Sequence, residues 1–346
     1  MSHKNYYMTG LTALVMSAAI AFAPSSSAAL TAYSQDFEAM TPLQGWPPND
    51  LSDDGWKIFG FAWDTNPYIG PANIVFSYGP HPAANGEPGS IQSVATGQGG
   101  PDQGNVVLAK YSDYNNTAQV SRYVQALTYQ AQTITADDVG SLWRFTYDAK
   151  IGNLEADSSA FAYIQTIDST AFFQKAVVLN DSTNLPDTWG TYTLDLFITP
   201  YLVGDSLQFG FSATATNYNG SAVFYDNLSF VKVFMVTIDI KPDSQTNNIN
   251  PGSKGVVAVS ILTSGDFDAL QVDPDTVLFG PADAEKAHTQ AHVEDVDNDG
   301  DMDLQLHFKT QETGIQCGDT AATLTANTWD GTPISGTDSV NTVGCE

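Results

Sequence analysis

Five aspartates occupy every second position between residues 295 and 303. They are Asp295, Asp297, Asp299, Asp301 and Asp303. Carboxylates this close together repel one another strongly in a folded loop unless a cation lies among them. Ca²⁺ suits such a loop because it accepts roughly six to eight oxygen ligands in a flexible shell. Gly300 stands at the sixth position, where calcium loops need a sharp turn. The spacing therefore predicts a calcium-binding loop.

The loop departs from a helical calcium-binding hand at its far end. The twelfth position of such a hand carries glutamate, whereas here it is Leu306, and strand-like sequence follows. We therefore expect Asp303 or a distant carboxylate to complete the oxygen shell around Ca²⁺. The alternative is a solvated acidic turn without an ion. With calcium bound the motif indicates a metal site, and in neither case does it indicate a reaction.

The chain has only two cysteines, Cys317 and Cys345, and both lie near its end. In an oxidising compartment this arrangement predicts a disulfide within one domain. Closing a loop of this size stabilises a fold by about 3 kcal/mol. The alternative is a pair of buried, unpaired thiols.

Residues 1–29 have the composition of a secretory signal. Lys4 supplies a positive start, residues 11–22 form an apolar core, and Ala23 or Ala29 ends the segment. The apolar core is too short to span a bilayer, so we expect no membrane insertion. The sequence therefore predicts a secreted protein, extracellular or periplasmic.

The charge of the chain restricts its partners. With 39 acidic residues against 12 Lys and Arg residues, the net charge is −27. Such a surface repels nucleic acid and anionic membranes. It also disfavours acidic polysaccharides as ligands, unless calcium ions bridge the two.

Short alternating apolar runs separated by Gly, Asn, Asp and Pro dominate the remaining sequence, which is typical of antiparallel β-sandwiches. The clearest runs are residues 143–151, 192–198, 207–211, 223–233, 236–240, 255–262, 304–308 and 322–328. We predict an all-β protein with two β-sandwich domains, residues 30–234 and a smaller one at residues 235–346. The sequence does not predict the oligomeric state.

Two short motifs frame the first predicted domain, Asp36-Phe-Glu38 near its start and Phe-Tyr-Asp226-Asn-Leu-Ser-Phe near its end. They resemble motifs of the jelly-roll carbohydrate-binding modules of secreted polysaccharide-degrading proteins. The resemblance implies adjacent first and last strands that share a structural calcium ion, with Glu38 and Asp226 as ligands. We expect Asp36 and Glu38 to lie on one strand and face the same side. The same sandwich also occurs in enzymes and adhesion proteins, so it does not define a function.

The second predicted domain carries several longer motifs. They are the segments at residues 238–242, 253–255, 272–276 and 310–319, together with the aspartate loop. The set resembles a recurrent C-terminal module of bacterial secreted proteins. The resemblance implies an accessory calcium-binding sandwich with no defined activity.

Aromatic residues in a long Gly- and Pro-rich stretch provide a candidate glycan-binding surface. They are Trp46, Trp56, Trp63, Tyr68 and Tyr78. Sugar rings stack their apolar faces on aromatic rings, and their hydroxyls pair with Asn, Asp and Gln. The alternative is that these aromatics cover a loop-rich core.

No sequence motif identifies a catalytic site. A glycosidase needs two carboxylates across a cleft, and the candidates are Glu38, Glu87, Glu155 and Asp157. A solvated turn or a structural calcium site explains these residues more simply. His288, His292 and His307 carry no zinc motif and are interpreted as structural histidines, with His307 on the opposite side of its strand from Leu306.

The sequence thus predicts a secreted, calcium-stabilised protein whose first domain binds a neutral or calcium-bridged polysaccharide without catalysis. One alternative is a jelly-roll glycoside hydrolase or polysaccharide lyase. Another is an extracellular matrix or adhesion protein in which both sandwiches act as spacers.

Overall fold

The structure is a computed structural model. It describes residues 29–42, 50–64, 74–84, 90–93, 98–112, 122–155, 158–216, 220–242, 244–288 and 290–345. The predicted signal, apart from Ala29, lies outside these residues. The chain divides into two compact units, one ending at Val231 and the other beginning at Lys232.

The first unit consists of antiparallel strands. They are β1 (Tyr33–Gln35), β2 (Lys57–Asp64), β3 (Ile74–Pro82), β4 (Ser90–Ser93), β5 (Val106–Lys110), β6 (Arg122–Thr133), β7 (Leu142–Leu154), β8 (Ser159–Ile167), β9 (Gln174–Asp181), β10 (Gly190–Phe197), β11 (Ser206–Thr216) and β12 (Ser221–Met235), which runs past the unit boundary. Short 3₁₀ turns occur at Ala136–Asp138 and Pro200–Leu202.

Two sheets form this unit. One has the order β3-β2-β6-β11-β8-β9, and we call it the six-stranded sheet. In the other, β7 lies between β10 and β12, and β1 and β5 also pair with β12. The side chains that alternate inward from both sheets form one core, which includes Phe145, Tyr147, Phe209, Phe211 and Tyr225. The predicted period-2 pattern of β7 is confirmed, since Trp143, Phe145 and Tyr147 are all buried.

The second unit is a smaller sandwich. Its strands are β13 (Ile238–Ile240), β14 (Asn248–Ile249), β15 (Val256–Ile261), β16 (Leu278–Phe279), β17 (Ala284–Glu285), β18 (His292–Glu294), β19 (Asp303–Lys309), β20 (Ala321–Asn327), β21 (Pro333–Ser339) and β22 (Asn341–Thr342). Short 3₁₀ turns occur at Ala269–Gln271, Pro274–Thr276 and Thr310–Glu312.

One sheet of the second unit has the order β13-β15-β19-β18, and a facing sheet contains β21, β20, β16 and β17. Ile261, Leu306 and Phe308 from the first sheet pack in one core with Phe279 and Leu324 from the second. β14 and β22 form a separate parallel pair. The predicted all-β class with β-sandwich domains is therefore confirmed.

The predicted disulfide is also confirmed. Cys317 and Cys345 are bonded, with an S–S distance of 2.08 Å, and close a loop with a sequence separation of 28. In the described part of the chain, no helix has both the length and the apolar character needed to cross a membrane.

Candidate functional site

The outer face of the six-stranded sheet carries an unusual set of side chains. One row across the sheet runs from Lys57 on β2 through Tyr129, Gly210 and Tyr163 to Leu179 on β9. Because directly opposed residues lie on the same side of a sheet, all of these side chains face away from the main core. Gly210 lies between the two tyrosines, where there is no room for a side chain, since a Cβ atom there would lie 2.2 Å from the carbonyl oxygen of Thr128.

The neighbouring rows add more apolar groups to this face. Phe59, Phe61 and Leu127 form a cluster with Tyr129 and Tyr163, separate from the core between the sheets. Sandwich sheets commonly have one apolar face, which packs on the partner sheet, and a polar outer face. This sheet instead has apolar side chains on both faces.

Glutamine side chains border the tyrosines. Gln165 donates from Nε2 to Oε1 of Gln208 at 2.8 Å and accepts from Nε2 of Gln174 at 2.7 Å. Gln125 lies on the same face of β6, two positions before Leu127, and donates to Oγ of Ser212 on β11 at 2.7 Å. The face therefore combines aromatic rings with oriented amides. We call Tyr129, Tyr163, Gln125, Gln165 and Gln208 the tyrosine face.

Both tyrosines are buried. Burial raises the pKa of Tyr129 to about 12 and raises that of Tyr163 well above its ordinary value, so both phenols are neutral hydrogen-bonding groups. Tyr163 is only 2% exposed, and its hydroxyl has no hydrogen-bond partner in the part of the chain that the structure describes. An unsatisfied buried hydroxyl is costly, and a ligand hydroxyl is one group that would satisfy it.

A pocket of about 340 Å³ opens at one end of the tyrosine face. Its lining includes Tyr129 and Gln208 from the sheet, Lys57 from the start of β2, and His81 between two prolines at the end of β3. Its volume is at the lower end of the range for small-molecule sites. The pocket offers an aromatic ring, an amide and a cation to a single ligand.

Of the predicted glycan-binding aromatics whose side chains the structure describes, Trp56 lines this pocket and Tyr78 does not. Trp56 is fully buried, its ring stacks on Phe211, and its Nε1 donates to the hydroxyl of Tyr33 at 2.7 Å. Trp56 therefore belongs to the core and also borders the pocket, and its role in glycan binding stays a prediction. Tyr78 is half-buried and packs so closely over Gly60 that a Cβ atom there would lie 2.0 Å from its ring.

Other sequence predictions lie outside the described residues. These are Trp46, Tyr68 and the side chain of Trp63, and among the candidate carboxylates Glu87 and Asp157. Glu155 is exposed and accepts from the backbone N–H of Gly220 at 3.2 Å. Neither Glu155 nor Glu38 lines the pocket.

The predicted first-domain calcium ligands lie in an acidic cluster. Asp226 is 1% exposed, and burial together with the negative charges of Asp148, Glu38 and Asp36 raises its pKa to about 8. Gln103 donates to Asp148 at 2.8 Å, and its own buried oxygen accepts from none of the described residues. These carboxylate and amide oxygens fit the ligand preference of a hard cation.

Glu38 reaches this cluster from a turn and not, as predicted, from a strand. β1 ends at Gln35, and Phe37 adopts a left-handed φ of 59° that interrupts the extended alternation. The Glu38 carboxylate accepts from the backbone N–H groups of Asn105 and Val106 at 2.7 and 2.8 Å. Although burial opposes the effect, these bonds lower its pKa, so Glu38 is ionised at neutral pH.

The aspartate loop of the second unit connects β18 to β19 as a hairpin loop. Carboxylate oxygens of Asp295, Asp297 and Asp303 lie within 4.8 Å of one another. Asp303 is buried and accepts from the backbone N–H groups of Thr263 and Val296 at 2.8 and 2.9 Å. Three of the five predicted carboxylates thus converge.

The other two predicted ligands are outside that group. Asp301 corresponds to the seventh loop position, which in helical calcium hands supplies a backbone carbonyl and not a side chain. The Asp299 side chain accepts from the backbone N–H of Asp301 at 2.9 Å. Gly300 has the predicted turn conformation, with φ of 102°.

Comparisons with known proteins give structural neighbours only. No family model and no curated protein matches the chain. Similar solved structures include a cyclase from Fischerella sp., at 13% identity and a TM-score of 0.33, covering 58% of this chain and 96% of that one.

Two of the similar structures are carbohydrate-binding modules. One is TmCBM61 with bound β-1,4-galactotriose, at 10% identity and a TM-score of 0.29, covering 55% of this chain and 99% of that one. The other is a xylan-binding CBM 22 domain, at 14% identity and a TM-score of 0.31, covering 60% of this chain and 96% of that one. These similarities are too distant to assign a ligand or an activity to this chain.

Proposed function

We propose that the first unit binds a carbohydrate without cleaving it, and that the tyrosine face with its pocket is the binding site. One observation carries the proposal: the six-stranded sheet has aromatic and amide side chains on a face that the core between the sheets does not use. Folding of a two-layer sandwich requires only one apolar face from each sheet.

The chemistry of the face matches a neutral sugar. Aromatic rings stack on the apolar face of a pyranose, and amide groups pair with its hydroxyls. Tyr129 and Gln208 offer both kinds of contact in the pocket. The net charge of −27 favours a neutral polysaccharide, or an acidic one only with bridging calcium ions.

We further propose that calcium stabilises both units and that the protein is secreted. Support for calcium comes from the oxygen clusters around Asp226 and within the aspartate loop. Support for secretion comes from the predicted leader and from the disulfide, which persists in oxidising compartments. In this proposal the second unit is an accessory module that the metal and the disulfide hold together.

The Gln208→Ala variant tests the site. Isothermal titration of the full chain with xylan, galactan and mixed-linkage β-glucan oligosaccharides should identify a ligand. We expect Gln208→Ala to bind that ligand about tenfold more weakly, because the lost hydrogen bonds contribute on the order of 1.4 kcal/mol. The variant also removes the acceptor of the buried Gln165 amide, which costs about 1–3 kcal/mol, so the melting temperature should fall by a few degrees while the protein stays folded at 25 °C.

Two controls accompany this variant. Gln271→Ala makes the same change at an exposed position in the second unit and should bind like the unmodified chain. Trp46→Ala and Trp63→Ala test two other tryptophans of the predicted glycan-binding set. If those two variants lose binding while Gln208→Ala retains it, the site lies at those tryptophans and our assignment is wrong.

A further inference from the structure

Three histidines meet on the second unit. The ring centroids of His288 and His292 are 5.8 Å apart, those of His288 and His307 are 5.1 Å apart, and those of His292 and His307 are 5.5 Å apart. One nitrogen from each ring lies within 4.8 Å of the other two. Nitrogen ligands of a tetrahedral zinc ion lie about 2.0–2.1 Å from the metal, so small side-chain rotations would close this group around one ion.

The backbone fixes two of the rings on adjacent strands. His292 on β18 is directly opposite Gln305 on β19, and His307 follows two positions later on the same face. His292 and His307 are therefore diagonal neighbours, a separation that long side chains bridge.

The third ring approaches from the segment that precedes β18. The backbone N–H of Ala287 donates to the carbonyl oxygen of His307 at 2.6 Å, which holds this segment beside β19. The adjacent His288 is thereby placed next to both other histidines.

The hydrogen bonds leave nitrogen lone pairs available. Nδ1 of His288 lies 3.1 Å from the carbonyl oxygen of Gln290. Because a carbonyl oxygen only accepts, Nδ1 must donate, and Nε2 of the neutral ring then carries the free lone pair. A backbone carbonyl that fixes the tautomer in this way is the usual support of a metal-binding histidine.

His307 supplies an independent indication. Its Nδ1 atom is buried and has no hydrogen-bond partner among the described residues. Buried polar atoms are normally satisfied, so an orphaned nitrogen on a ring that lies beside two other imidazoles calls for an explanation. A metal ion in the centre of the cluster would satisfy it.

From this geometry we propose that His288, His292 and His307 bind one zinc ion. Imidazole nitrogen suits zinc and related divalent transition metals, whereas carboxylate oxygen suits calcium. The β18–β19 hairpin therefore carries nitrogen ligands beside its strands and oxygen ligands in its connecting loop. Three protein ligands leave a fourth tetrahedral position for water.

The test is titration of the metal-free full chain with ZnCl₂ in the presence of saturating CaCl₂, which occupies oxygen sites. We expect one zinc ion per chain. His288→Gln and His292→Gln should each weaken zinc binding at least about tenfold, since even the residues that support metal ligands contribute about 10- to 100-fold. Both side chains are exposed, so neither change should unfold the protein.

His81→Gln is the matched control because it removes a histidine from the first unit, and zinc affinity should not change. Cobalt(II) substitution gives a second readout, as visible absorption bands of a nitrogen-coordinated ion that are absent in His292→Gln. Absence of zinc binding would overturn the proposal. Zinc binding of equal strength in His288→Gln and His292→Gln would also overturn it, because the ion would then lie elsewhere.

Discussion

We expect removal of calcium with EGTA to lower the melting temperature of the protein by about 10 °C. A ligand that binds only the folded state stabilises it by RT ln(1 + [L]/Kd), which is about 2.7 kcal/mol at a concentration 100 times Kd. For a domain of roughly 100 residues, each kcal/mol changes the melting temperature by about 4–8 °C. Differential scanning calorimetry with and without CaCl₂ measures the change.

The physical reason lies in the aspartate loop. Carboxylates of Asp295, Asp297 and Asp303 converge, and burial together with the charges of neighbouring aspartates raises the pKa of Asp297. Without a cation the folded loop holds these like charges together, whereas unfolding separates them. Because the loop joins the edge strand β18 to β19, loosening of the loop should weaken the pairing between these two strands.

Asp297→Asn localises the effect to this loop. The variant should lose most of the calcium-dependent shift of the second unit, and Asp226→Asn should do the same for the first. Asp330→Asn is the control, because it also removes one negative charge, but from a turn in which Thr328 and Thr332 donate to the carboxylate. The melting temperature of this variant should respond to EGTA like that of the unmodified chain. Identical melting curves in CaCl₂ and EGTA would refute calcium binding at both clusters.

Loss of the disulfide should destabilise the second unit by about 3–4 kcal/mol. The bond closes a loop with a sequence separation of 28, and the chain-entropy relation gives about 3.6 kcal/mol for that length. The double variant Cys317→Ser/Cys345→Ser, compared with the unmodified chain by urea unfolding, measures this loss as a lower midpoint. The slope should become steeper, because the unfolded chain is less compact without the cross-link and exposes more surface.

Reduction of the unmodified chain serves as the control. It should reproduce the stability of the double variant, and the reductant should not affect the variant itself. The first unit contains no cysteine, so its unfolding transition should not move. If the unmodified and double-variant proteins unfold at the same urea concentration, the cross-link does not contribute to stability.

The alternation of apolar residues predicted many of the strands that build the cores, but it missed β2, β5 and β8, which also contribute to the core of the first unit. Leu304, Leu306 and Phe308 are buried on one face of β19 as predicted, and His307 faces the other way. Alternation reports which face of a strand is apolar but not which strands are neighbours. The sequence therefore could not show that His288 and His292 lie beside His307.

The same limit explains the missed tyrosine face. β6 has apolar residues at Val124 and Ala126 on one face and at Leu127 and Tyr129 on the other. An apolar strand of this kind is usually interpreted as buried on both sides. Only the pairing with β11 and β8 shows that Tyr129 and Tyr163 share the outer face with Gly210 between them.

Local backbone geometry accounts for the remaining differences. Trp56 precedes β2 in a turn-rich stretch, and nothing in its neighbours indicates that its ring points into the core. Asp36 and Glu38 have strand-like spacing, but the left-handed conformation of Phe37 places Glu38 in a turn. Side-chain direction in turns depends on single dihedral angles, which residue spacing does not predict.

The measurement that tests the central claim most directly is a pull-down of the full chain with insoluble xylan, galactan and mixed-linkage β-glucan, with the supernatant assayed for released sugars. Glu155→Gln is included because Glu155 is one of the four candidate catalytic carboxylates of the enzyme alternative. We predict retention on at least one polysaccharide, equal retention of Glu155→Gln, and no released sugar. Sugar release that Glu155→Gln abolishes would make the protein an enzyme, and failure to bind any of the polysaccharides would contradict carbohydrate binding by the tyrosine face.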